Sequence, residues 1–122
     1  MTREEVFAHV LSCFGTRPDY PWADDNAVLR RADNQKWYAI IMAVRRDRLG
    51  LSGGGTVDVI NVKCDPLLIS SLRAQEGFHP AYHMNKDRWI TARLDGSVPA
   101  ETIAALLDIS YSMTETGKRK KT

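Results

Sequence analysis

Lysine, arginine and tryptophan gather in the middle of this chain, and their chemistry is the holding of anions and flat rings. Residues 30–93 carry eleven basic and six acidic side chains, a net charge of +5. Arg45, Arg46 and Arg48 cluster after one apolar run, Lys63 ends a second, and Asn85, Lys86, Arg88, Trp89 and Arg93 crowd a third. Cations of this kind contact phosphate, an asparagine amide can reach a base edge, and an indole can stack on a base. The charge is not uniform: residues 1–29 sum to −3, residues 94–117 to −4, and Lys118–Lys121 add +4. The whole chain is only +2, with a pI near 8.6, milder than a dedicated polyanion binder.

Residue types that break bonds are scarcer and less well arranged. His79 and His83 are four apart and could imitate part of a zinc site with Cys64. Pro80 forbids the helical metal-binding spacing, and no Cys-x-x-Cys or His-Glu-x-x-His pattern completes a ligand quartet. We therefore expect no metal and no cofactor, and read both histidines as polar loop residues. Cys13 and Cys64 have no base that the sequence puts beside them, so neither is assigned as a nucleophile. Gly53-Gly54-Gly55 lacks the Lys-Ser/Thr ending of a phosphate loop and precedes a strand, not a helix. The expectation is a non-enzymatic domain.

These side chains need elements to position them. The 122 residues suit one domain, spanning 1–113, with a basic, disordered tail over 114–122. No apolar run approaches the roughly 20 residues that span a bilayer. The acidic start, Met1-Thr2-Arg3-Glu4-Glu5, is unlike a secretion leader. A cytoplasmic monomer with both cysteines reduced is expected.

Thr2 and Glu5 have the spacing of a capping box, and the apolar period predicts a helix over 3–14, stopped by Gly15. Strands are predicted over 27–32, 37–45 and 56–64, with 46–55 a flexible, protruding wing. Asp65 and Pro66 open a second helix, 66–75. Strands at 78–83 and 88–94 and a helix over 99–113 complete the order. Short connections favour an antiparallel sheet, giving a two-layer α+β domain, α-β(3)-α-β(2)-α, with five strands and all helices on one face. Strand alternation would turn Tyr38, Ile40, Met42 and Val44, Ile60, Val62 and Cys64, and Ile90, Ala92 and Leu94 toward the helices. The opposite face would then show Trp37, Arg45, Asn61, Lys63, Trp89, Thr91 and Arg93 to solvent. Such a face suits base stacking with phosphate contacts, a plain solvated surface or a dimer interface.

The run His79-Pro80-Ala81-Tyr82-His83-Met84-Asn85-Lys86-Asp87-Arg88-Trp89 resembles the signature of the MmcQ/YjbR-like bacterial family. Leu94-Asp95-Gly96-Ser97-Val98-Pro99, Ser110-Tyr111, Lys63-Cys64-Asp65-Pro66, Tyr20-Pro21-Trp22 and Arg48-Leu49-Gly50-Leu51 extend the likeness over about residues 20–112. Arg88 stands where members often carry histidine, which argues against a required catalytic histidine there. The resemblance implies the α-β(3)-α-β(2)-α fold and a double-wing DNA-binding role, without catalytic residue or cofactor. The expectation is that Arg45, Arg46, Arg48, Lys63, Asn85, Lys86, Arg88, Trp89 and Arg93 bind DNA weakly from an open sheet face and hairpin wings. The alternative is a protein- or peptide-binding module.

Overall fold

Each of the first two helices begins on a side-chain cap that the sequence spells out. The computed structural model describes residues 1–115. In α1 (Arg3–Phe14) the Thr2 hydroxyl accepts from the Glu5 amide at 3.2 Å and the Glu5 carboxylate accepts from the Thr2 amide at 2.7 Å. Gly15 closes the helix at φ 69°, a left-handed position that glycine takes without Cβ strain. In α2 (Pro66–Leu72) the Asp65 carboxylate accepts from Leu68 N at 3.0 Å. The third helix, α3, runs Ala100–Met113.

Five strands, β1 (Ala27–Arg30), β2 (Trp37–Arg45), β3 (Thr56–Lys63), β4 (Phe78–Pro80) and β5 (Trp89–Arg93), form one antiparallel sheet in the order β1-β2-β3-β5-β4. All three helices pack on one face. There Val6 and Val10 of α1, Ile69 and Leu72 of α2, and Ile103, Leu106 and Leu107 of α3 meet Leu29, Ile41, Ile60, Val62, Ile90 and Ala92. Burying one such aliphatic side chain stabilises the fold by about 1.5–3 kcal/mol. Strand β4 stops at Pro80, which has no N–H to continue the ladder, and not at residue 83. The ends of α1 and β2 are those expected, while β1 stops at Arg30, β3 at Lys63 and α2 at Leu72, and β5 and α3 are shorter by one or two residues.

One strand carries its apolar residues on the other side from that expected. Leu29 pairs with Ala39 while the next residue, Arg30, pairs with Trp37, so Tyr38 is an extra residue in β2. This bulge turns Tyr38 and Ala39 both to the helix side and reverses the alternation beyond it. Ile40, Met42 and Val44 therefore lie away from the helices, and Ile41 packs beneath them. Tyr38 is held among Phe14 and Tyr111, donates to Thr16 Oγ1 at 2.7 Å, and has its phenol pushed up to about 12 by burial.

The second face of the sheet is covered as well. Residues 46–55 do not simply protrude: a single 3₁₀ turn, Arg46–Leu49, folds back so that Leu49 and Leu51 pack with Val44, Val57, Val59 and Tyr82. From the opposite end, Ala81 and Met84 pack over Val28, Ile40 and Trp89. Trp89 is 9% exposed, and Asn61 and Thr91 are fully buried. The expected open basic and aromatic face is thus closed by two loops. No helix among the described residues is long and apolar enough to cross a membrane. Of the tail expected over 114–122, Thr114 is buried, its Oγ1 donating to the Tyr111 carbonyl at 2.8 Å, and residues 116–122, with the basic Lys118–Lys121, lie outside the described residues.

Candidate functional site

The loop that follows β4 is fastened to the sheet by buried polar side chains. Thr91 Oγ1 donates to Asn61 Oδ1, Tyr82 N donates to Thr91 Oγ1 at 2.9 Å, and Asn61 Nδ2 donates to the Tyr82 carbonyl at 3.0 Å. Both polar groups of the Tyr82 backbone are satisfied in this way, which an irregular segment over a sheet requires. Downstream, Asn85 Oδ1 accepts from Asp87 N at 2.9 Å and the Asn85 carbonyl accepts from Arg88 N and Trp89 N. His83 sits between the two fastenings at φ 61°, a conformation uncommon for a residue with a Cβ.

Two clefts flank this loop, and His83 lines both. The first, about 390 Å³, is lined by Arg48 and Leu49 from the 3₁₀ turn and by His79, Pro80, Ala81, Tyr82, His83 and Lys86. It contains two cations, two imidazoles and a phenol, and no carboxylate. Burial lowers the pKa of His79, Arg93 lowers it further, and Asp95 opposes the shift. Its Nε2 is buried without a hydrogen-bond partner. Lys86 also borders a neighbouring cleft of about 520 Å³ beside α2, where Arg73 adds another cation and Asp87 an anion. The second cleft flanking the loop, about 400 Å³, is lined by Trp22, Trp37, Ile40, Met42 and Met84, with Asp24, Asn26 and His83 among its polar groups. Trp22 and Trp37 meet edge to face, centroids 5.9 Å apart.

Of the nine residues expected to form the site, the structure brings Arg48 and Lys86 to one cleft. Arg45 pairs with Asp47 at 2.6 Å, and Arg46 Nε donates to the Ser52 carbonyl at 2.7 Å. The Asn85 side-chain oxygen is engaged in its own turn, and Arg88 is exposed while its carbonyl accepts from Cys64 N. Lys63, Trp89 and Arg93 do not form the exposed stacking surface expected of them. Trp89 lies under the loop, Arg93 is largely buried with its Nε 3.6 Å from Asp95, and Lys63 is half-buried at the strand end, its amide donating to Ser110 Oγ.

Sequence reasoning passed over His79, His83, Tyr82 and the Trp22–Trp37 pair as site residues. The run around His79 and His83 was the strongest local signal, but strand alternation drew attention to the sheet instead. The cysteines differ from each other. Cys64 is buried, which pushes its thiol up to about 11, with Asp65 adding to the shift. Cys13 is exposed, and it does have a possible base nearby: His9, one turn earlier, places Nδ1 at 3.9 Å from its Sγ, with Asp108 3.9 Å from His9 Nε2. That spacing was legible as an i, i+4 pair on α1. Among the described residues no group of three or more His, Cys, Asp or Glu is placed to hold a metal ion.

The YjbR family model matches residues 11–113. The chain is 42% identical to the uncharacterized protein YyaQ of Bacillus subtilis over 117 residues, covering 94% of this chain and 99% of that protein. A crystal structure of a protein from Pseudomonas syringae superposes with a TM-score of 0.91 at 41% identity, covering 94% of this chain and all of that one. A Deinococcus radiodurans protein shares the fold, with a TM-score of 0.75 at 24% identity over 98% of this chain and 85% of its own. The chain belongs to the YjbR family.

Proposed function

We propose that this YjbR-family chain is a DNA-binding domain that holds the phosphate backbone in the cleft of Arg48, His79, Tyr82, His83 and Lys86. The observation that carries the reading is the lining of that cleft: two cations and two imidazoles with no carboxylate. Guanidinium and ammonium groups give charge-assisted hydrogen bonds to phosphate, and the Tyr82 phenol can donate another. The loops 46–55 and 81–88 support the double-wing aspect of the reading, as two arms that reach over the sheet from opposite ends. Their contact chemistry is electrostatic, so affinity is modest and the acidic flanks of the chain reduce it further. The reading assigns binding and no catalysis, in a cytoplasmic, monomeric protein.

Fluorescence anisotropy with labelled duplex DNA tests it. Arg48 and Lys86, with Arg73 nearby, neutralise two to three phosphates, so log affinity should fall against log salt with a slope of about −2 to −3. Replacing Arg48 and Lys86 together with alanine should weaken binding at least about tenfold and flatten the slope by about 2. Equal binding by that variant would remove the cleft from consideration. One observation favours a second reading, a peptide-binding module: the Trp22, Trp37, Met42 and Met84 cleft suits an apolar side chain. Binding that ignores salt and needs no phosphate would favour it.

A further inference from the structure

We infer that the Trp22–Trp37 cleft receives one unstacked nucleobase, so that the chain prefers single-stranded or frayed nucleic acid to intact duplex. This rests on the phosphate-binding reading of the neighbouring cleft. The two clefts share one lining residue, His83, which stands at φ 61° on the loop between them. A strand whose phosphate lies against Arg48 and Lys86 therefore has the aromatic cleft beside it. The aromatic cleft has what a flat, polar-edged ring requires. Trp22 is 43% exposed and available for stacking, and Met42 and Met84 supply polarizable contacts. Asp24 and Asn26 line it too; Asp24 Oδ1 accepts from Asn26 N at 2.9 Å, and the remaining lone pairs of the Asp24 carboxylate can accept from the hydrogen-bonding edge of a base. The Asp24 carboxylate repels phosphate, so charge sorts the two parts of a nucleotide: backbone to the cationic cleft, base to the aromatic one. A base paired within a duplex cannot enter such a cleft without leaving its stack.

The test compares a short thymidine oligomer with an abasic sugar–phosphate oligomer of equal length, both by anisotropy at low salt. The two carry the same charge and differ only in bases. The thymidine oligomer should bind about tenfold more tightly, with the same salt slope. Trp22→Ala should erase that difference and leave abasic binding unchanged, and Trp22→Phe should restore part of it. Trp22 belongs to none of the buried clusters, so its replacement should not unfold the chain, and far-ultraviolet circular dichroism checks this. Equal affinity for the two oligomers in the parent protein would overturn the base-binding inference while leaving phosphate binding intact. A thymidine preference that survives Trp22→Ala would also overturn it. Failure of both oligomers to bind would overturn the phosphate reading and this inference with it.

Discussion

His79 links the cleft to the stability of the fold. Burial, and then the Arg93 charge, hold its pKa below the ordinary histidine value of 6.5. The unfolded chain therefore takes up a proton before the folded one as pH falls, and stability declines as pH drops through about 6.5 toward the lower folded value. Above that window both states are neutral and the effect vanishes. Urea unfolding should show a midpoint that falls between about pH 7.5 and pH 5, and His79→Gln should flatten that dependence. An unchanged profile in the variant would mean that His79 is not held neutral by its surroundings. Asp95 titrates in a separate, more acidic window, because its carboxyl is lowered from the usual 3.8: burial raises it, but Ser97 hydrogen bonds and Arg93 outweigh that. The stability it adds is present above its unfolded value and is lost as pH falls below that.

The loop 81–88 depends on the buried Asn61–Thr91 pair. Asn61→Ala leaves Thr91 and the Tyr82 carbonyl without their partner, and a buried polar group left unsatisfied costs about 1–3 kcal/mol. The Tyr82 and His83 amides should then exchange with solvent faster, while those of α3 keep their relative protection. Equal acceleration across the whole chain, or no change, would deny the pair its fastening role. At this scale the sequence was informative where periodicity is local. The capping box placed α1 at its observed ends, and the apolar run gave β2 its observed ends. Faces were harder. One inserted residue at Tyr38 reverses the phase of β2, and no local signal marks it. Nor can alternation reveal a loop that folds over a sheet, since Asn61 and Thr91 look the same in sequence whether they meet water or the Tyr82 backbone. Strand alternation alone therefore assigns Lys63, Trp89 and Arg93 to an open surface and leaves His79 and His83 as polar loop residues. The cations of the 3₁₀ turn and of the loop were visible in composition, but their meeting in one cleft follows only from the tertiary fold.

For the molecule as a whole, charge sorting matters more than net charge. A net +2 would attract DNA weakly, and several of the eleven cations of residues 30–93 are engaged in internal pairs such as Arg31–Asp33, Arg45–Asp47 and Arg93–Asp95. Arg48, Arg73 and Lys86 have no such carboxylate partner among the described residues. The buried Arg31 belongs to the scaffold instead: it donates to the Tyr111 carbonyl at 2.6 Å and lies 4.0 Å from that ring, tying the turn after β1 to the end of α3. The cations thus fall into a structural and a ligand-facing set, and amide chemical-shift mapping reads the difference directly. Titrating the full chain with a short DNA oligomer at low salt should move the amides of residues 46–51 and 79–86 most, and those around Arg31, Lys63 and Arg93 least. Shifts confined to residues 116–122, or centred on α1 and α3, would contradict the proposal that the Arg48–Lys86 cleft holds the phosphate backbone.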